Sequence, residues 1–294
     1  MLIDVDVHPD FYEPINTDEL VEQLRHDEVN IHLNGTASLN HVENQMRLAG
    51  IEKMFLLGRD YSMEHGYPLV SNDDIKKLVD MKPNRFIGFA SVDPYVENSA
   101  EKLKFAFETL GLSGLALYPS RQHFYPGDKK MDILYDVCEM NNRPIIFHSG
   151  LSWEPNTLSK FGHPLEFEEL ANKRPNLRIC LTQFGWPWLR ETAMILVKHR
   201  NVFTSMGSLY FDNAKEFFSQ CFTKEIPVTW IDRSLRHQVM FGSGNPRFEQ
   251  IRMAEALNSL GFRESTLELI KWRNAENFLN GLEEESLRGE HFVY

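Results

Sequence analysis

Leu2-Ile3-Asp4-Val5-Asp6-Val7-His8-Pro9 opens the chain as an apolar, β-branched run broken at every second place by a polar group. That is the pattern of a strand. No Gly-x-Gly-x-x-Gly turn follows it, which removes the dinucleotide-binding arrangement. Similar short runs stand at Lys53 to Leu57, Arg85 to Val92, Leu112 to Tyr118, Arg143 to His148, Leu177 to Gln183, Val202 to Met206 and Gln238 to Ser243. Together with Leu2 to Val7 they make eight candidate strands. Apolar residues at helical spacing lie between them, for example Val42, Met46 and Ala49, or Ile251, Ala254 and Leu257. Eight strands, each followed by a helical stretch, read as an α/β chain of the (β/α)8 TIM-barrel class, and 294 residues suit that fold. No linker or low-complexity tract divides the chain, so residues 1–294 read as one barrel domain. Arg263 to Leu282 reads as a closing helix and Glu283 to Tyr294 as a short acidic tail.

Composition narrows the function. At 42% hydrophobic and 25% charged residues the chain has ample material for a core, which excludes disorder. A formal charge of -11, from 31 basic and 42 acidic side chains, repels polyanions and argues against nucleic acid as partner. No apolar run approaches a bilayer span, and the opening Met1-Leu2-Ile3-Asp4-Val5 lacks the basic and apolar regions of a secretory leader. The expectation is a cytoplasmic protein without membrane contact, working on a small molecule. Cys138, Cys180 and Cys221 are too few and too scattered for a disulfide framework or a thiolate metal cage.

In a barrel of this class the functional rim is built from the C-terminal ends of the strands. Asp6 and His8, two residues apart, share a face at the first exit, as a metal-chelating pair or an acid/base pair. The fifth run, Pro144-Ile145-Ile146-Phe147-His148-Ser149-Gly150, is apolar until an imidazole appears at its end. Burying His148 there costs desolvation unless it binds a metal or carries a proton. At the sixth exit Gln183 offers an amide to a substrate and Trp186 a pocket wall, while Trp188 reads as loop packing. At the eighth, Gly242 and Gly244 permit close backbone approach, and Arg247 suits a substrate carboxylate. Tyr118 and Arg59 close the fourth and second strands as further rim contacts.

The pattern resembles the amidohydrolase superfamily, in the amidohydrolase-related branch that includes aminocarboxymuconate-semialdehyde decarboxylase and resorcylate-type decarboxylases. The resemblance runs through Ile3 to His8, Gly111 to Leu117, Pro144 to Gly150, Leu177 to Trp188, Asn201 to Thr204, Phe241 to Pro246 and Asn274 to Leu279, in family order. Typical members carry His-x-His on the first strand, one His on each of the fifth and sixth, and an Asp on the eighth, which hold a metal and an attacking water. Here Asp6 replaces the first histidine, His8 and His148 are kept, Gln183 replaces the sixth-strand histidine and Gly244 the aspartate.

The resemblance implies one divalent ion (Zn, Mn or Fe) on Asp6, His8 and His148, and a metal-assisted hydrolase or non-oxidative decarboxylase of a small carboxylated, aromatic compound. Because glycine at position 244 cannot accept a proton, the base must lie elsewhere; His163 and His123 are the candidates. The catalytic set is then Asp6, His148 and His163, with Arg59, Tyr118, Gln183, Trp186 and Arg247 on the substrate. Phe147 and Trp153 are further candidates for the planar part of the pocket. Two other readings stay open: a metal-independent lactonase- or isomerase-like barrel using Asp6, His8 and His148 as acid/base groups, and an inactive ligand-binding barrel. A homodimer is what the family resemblance implies.

Overall fold

The computed structural model describes residues 1–31, 35–207 and 212–281. Eight strands follow one another in chain order: β1 Ile3–Val7, β2 Lys53–Leu57, β3 Phe86–Ser91, β4 Gly114–Leu117, β5 Ile145–Phe147, β6 Ile179–Leu181, β7 Val202–Ser205 and β8 Val239–Met240. Each falls inside a run read from the sequence. Every strand pairs in parallel with the next, in the order β1 to β8. The seam between β8 and β1 is closed by backbone bonds from Val5 N to the Phe241 carbonyl (3.0 Å), His8 N to the Asn245 carbonyl (2.8 Å) and Gly244 N to the Asp6 carbonyl (2.9 Å). The result is the TIM barrel.

Parallel neighbours require crossover connections, and amphipathic helices supply them. They include Leu39–Ala49, Asn72–Met81, Ser99–Glu108, Asp132–Met140, Leu189–Lys198 and Gln250–Asn258. Local sequence fixes their ends. The Ser71 hydroxyl accepts from Asp74 N while the Asp74 carboxylate accepts from Ser71 N, a reciprocal cap. Gly50 ends Leu39–Ala49 in the left-handed conformation that glycine tolerates best. The expected closing helix divides into Glu264–Glu268, a π-helical stretch Leu269–Arg273 and Asn274–Asn280. Leu282 and the acidic tail Glu283 to Tyr294 lie outside the described residues. Among the described residues no helix is long and apolar enough to cross a membrane.

Alternation along the strands separates two apolar layers. Ile3, Val5, Phe55, Leu57, Phe89 and Ile146 form one cluster, and Met54, Leu56, Leu115, Leu117, Ile145 and Phe147 belong to the other, with the helices. One strand breaks the rule. The register of β1 on β2 runs Ile3 to Lys53 and Asp4 to Met54, then Val7 to Leu56. Three steps on β1 oppose two on β2, which is a β-bulge. Val5 therefore stays in the first layer while Val7 moves to the second.

The bulge separates the two aspartates. Asp4 turns toward the helix Gln250–Asn258: its Oδ2 accepts from Gln250 Nε2 (2.8 Å) and Ser243 Oγ (2.7 Å), and its Oδ1 from Ser243 N (2.8 Å). Asp6 turns toward the barrel mouth. It uses space that Gly242 leaves, since a Cβ there would stand 2.8 Å from Asp6 Cβ and 3.0 Å from Ser205 Cβ. Gly242→Ala is expected to lower stability by about 1–3 kcal/mol through overpacking. A thermal melt of the variant that matches wild type would show that Asp6 does not depend on this gap.

Candidate active site

The strand exits converge on a cavity of about 40 Å³. Asp6 and His8 from β1, Arg59 after β2, His148 after β5, Gln183 after β6 and Arg247 after β8 all line it, with Trp153 and Glu154 from the loop that follows His148. Asp6 is buried, and its Oδ1 lies 3.2 Å from His8 Nε2. The two atoms are close but not aligned for a hydrogen bond, and among the described residues Oδ1 has no hydrogen-bond partner. On the other side of the His8 ring, Nδ1 is 3.4 Å from the Tyr118 hydroxyl, which donates to the Gly58 carbonyl at 2.8 Å. Tyr118 thus meets the His8 ring through its hydroxyl.

Burial sets the charge state. Desolvation lifts the Asp6 carboxyl to about 6, against the pull of His148 and Arg59. It draws His148 down to about 3, and together with Arg59 holds His8 well below the usual imidazole range. At neutral pH both imidazoles are neutral and Asp6 is the group poised between its two forms. His148 Nε2 is not open to the cavity: Gln183 Nε2 lies 2.9 Å from it.

The two arginines differ. Arg59 is buried, lies 3.4 Å from Asp10 and is ion-paired with Glu154, which also accepts from the Tyr61 hydroxyl at 2.9 Å. Its charge is already compensated. Arg247 commits only Nη2, to the Val29 and Asn30 carbonyls, and rests its guanidinium over the Trp153 ring at 5.5 Å. Among the described residues it forms no ion pair, and burial lowers it to about 10.

Five expected residues lie off the cavity lining: Tyr118, which meets His8, Phe147, whose ring belongs to the layer packed with the helices, and His163, His123 and Trp186. His163 accepts from Leu165 N (3.3 Å) as the cap of a short 3-10 turn and packs on Trp188 at 4.5 Å, off the cavity lining. Its ring is committed to holding the loop, which removes it as the base. His123 is an exposed loop residue whose Nε2 meets the Asn156 carbonyl at 2.8 Å. Trp186 packs on Phe217 at 5.9 Å, and its carbonyl accepts from Leu151 N, so it braces the loop instead of walling the cavity. Asp10 and Glu154 were not foreseen. Asp10 had a signal, because Asp6, His8 and Asp10 continue the same two-residue period; Glu154 had none.

Comparison with known proteins identifies the family. The amidohydrolase family model covers residues 52–281. The chain belongs to the amidohydrolase family. This amidohydrolase is an enzyme. Its fold is similar to an uncharacterised TIM-barrel protein from Bordetella bronchiseptica (20% identity, TM-score 0.71, 95% and 98% of the two chains covered). It is also similar to 5-carboxyvanillate decarboxylase from Sphingomonas paucimobilis (14%, 0.66, 95% and 98%) and to a dihydroxybenzoic acid decarboxylase from Polaromonas solved with manganese and 2-nitroresorcinol (16%, 0.63, 98% and 99%). No curated protein matches the sequence.

A divalent ion on Asp6, His8 and His148 would need three lone pairs aimed at one point. Asp6 Oδ1 and His8 Nε2 meet that need: their 3.2 Å spacing without a mutual bond is near the roughly 3.3 Å between two ligands of a tetrahedral ion. His148 does not, because Gln183 already takes its Nε2. Gly244 supplies no donor, and its φ of +71° disfavours any side chain there. Among the described residues no three His, Cys, Asp or Glu side chains form a group able to hold a metal ion. The residues of this amidohydrolase do not fit a three-donor catalytic ion.

Proposed function

We propose that this amidohydrolase converts a small carboxylated compound by acid/base chemistry, with the substrate carboxylate on Arg247 and the reacting centre against Asp6 and His8. The observation that carries this reading is the Arg247 guanidinium, which forms no ion pair among the described residues and is braced on Trp153 across the same cavity as the buried Asp6. A guanidinium fork suits a carboxylate, and a carboxyl group titrating near 6 suits proton transfer at neutral pH. In a hydrolysis, ionised Asp6 takes a proton from the attacking water. In a decarboxylation, protonated Asp6 gives its proton to the carbon that loses carbon dioxide. Neutral His8 holds the Asp6 side of the pocket in either case, and the decarboxylases among the structural neighbours make the second chemistry a natural one to assay.

Small carboxylic acids, aromatic and aliphatic, are expected to raise the melting temperature of the wild-type enzyme while their methyl esters do not. Esters that stabilise equally would overturn the carboxylate assignment. A second reading has one observation in its favour: the unbonded 3.2 Å pair of Asp6 Oδ1 and His8 Nε2 suits a cation. Elemental analysis separates the two. Acid/base chemistry alone predicts substoichiometric metal, unchanged by His8→Ala, whereas about one equivalent of Zn, Mn or Fe that disappears in the variant establishes the second.

A further inference from the structure

Gln183 leaves β6 in a backbone conformation that side chains avoid. Gln183 (φ 61°, ψ 21°) and Phe184 (φ 48°, ψ 26°) are both left-handed, and Gly185 continues at φ 61°. Residues bearing a Cβ are strained in that region. The cost is borne by specific contacts. The Gln183 backbone N–H donates to Ser205 Oγ (3.2 Å), the Gln183 carbonyl accepts from Trp186 N (2.9 Å), and the buried Phe184 ring packs edge-on against Phe222 at 5.4 Å. Strain held this firmly at a cavity wall points to a side chain that must be aimed.

Its target is the imidazole at the exit of the neighbouring strand, β5. Gln183 Nε2 lies 2.9 Å from His148 Nε2, and an amide N–H in that position donates to a bare ring nitrogen. The His148 proton then sits on Nδ1. Were the amide turned round, its oxygen would instead accept from an Nε2 proton, so Nε2 is consumed in both orientations. We propose that Gln183 is a positioning residue that caps His148 Nε2, keeping this imidazole from acting as a base or as the third donor to a cation beside Asp6 and His8. Asp6 and His8 are thereby left to face the substrate without His148. The inference rests on the pocket geometry and not on the proposed reaction, so a failure of carboxylate binding leaves it standing.

The test is a Mn²⁺ titration of the full-length protein, read by calorimetry and by loss of the free-ion electron paramagnetic resonance signal. One carboxylate and two imidazoles suit Mn²⁺. Gln183→Ala is expected to bind the ion at least about tenfold more tightly than wild type, because a freed His148 joins Asp6 and His8. The added His148→Ala change is expected to cancel the gain. Equal affinity in wild type and Gln183→Ala, or a gain that survives His148→Ala, overturns the proposal. So does tight stoichiometric binding by wild type that His148→Ala abolishes. Should Gln183→Ala fail to fold, Gln183→Asn replaces it: asparagine tolerates the left-handed backbone but its shorter amide does not reach His148. Nitrogen-15 shifts of the His148 ring give an independent reading, with a single Nδ1–H form in wild type and a mixture in the variant; a mixture already present in wild type counts against the cap.

Discussion

Asp6→Asn is expected to lower turnover by about 10²–10⁴-fold while leaving the barrel folded, the range seen when a positioned general acid or base is removed. The variant keeps the shape of the side chain and removes only its ability to exchange a proton. Folding should not suffer, because Asp6 Oδ1 has no hydrogen-bond partner to lose and the neutral amide is easier to bury than the carboxylate. The pH dependence then reveals which way the proton moves. Burial raises Asp6 from 3.8 to about 6. If the ionised form is the base of a hydrolysis, activity rises with pH, passes half-maximum near 6 and levels above it. If the protonated form is the acid of a decarboxylation, activity falls as pH rises through the same point. Either limb must vanish in Asp6→Asn. Turnover at the wild-type level in that variant, or an unchanged limb, would remove Asp6 from the chemistry.

Arg247→Ala is expected to raise KM by roughly 10- to 100-fold with a smaller change in kcat, since hydrogen bonds to a charged group contribute about 1.5–3 kcal/mol. Arg247→Lys should recover little of this. Lysine lacks both the planar fork that meets two carboxylate oxygens and the flat face that lies on Trp153. Arg59 is a poor substitute target for this test. It sits between Asp10 and Glu154, and its loss leaves the buried Asp10 without its ion pair and Glu154 with Arg121 at 3.9 Å, so any kinetic effect would be mixed with lost stability. Steady-state kinetics on a carboxylate identified by the thermal screen settle the matter: an unchanged KM in Arg247→Ala would place the substrate carboxylate elsewhere.

The barrel was legible because its signal is repeated. Each strand lies within a short, mostly apolar run such as Lys53-Met54-Phe55-Leu56-Leu57, and burial on both faces leaves little room for other patterns. The convergence of Asp6, His8, His148 and Gln183 followed from their shared place at strand exits. What stayed hidden depends on contacts between distant segments. The bulge that turns Asp4 away from Asp6 is defined only by the register against β2. Nothing local to Arg59 reveals that Glu154, 95 residues later, neutralises it. His163 looked free because its partners are a backbone N–H two residues on and the ring of Trp188. The left-handed turn at Gln183 and Phe184 is invisible for a related reason: neither residue favours it, so the surrounding fold must impose it.

The polar clasp that joins Asp4 to Ser243 spans 239 residues and sits beside the bulge that aims Asp6. Half of the pocket floor is therefore translated well before its counterpart. A nascent chain on the ribosome carries Asp6 and His8 long before Gly242, Ser243 and Gln250 emerge, and until then the first strand has no neighbour on its open edge. Competence for turnover must switch on late and all at once, with the arrival of the eighth strand and the helix behind it.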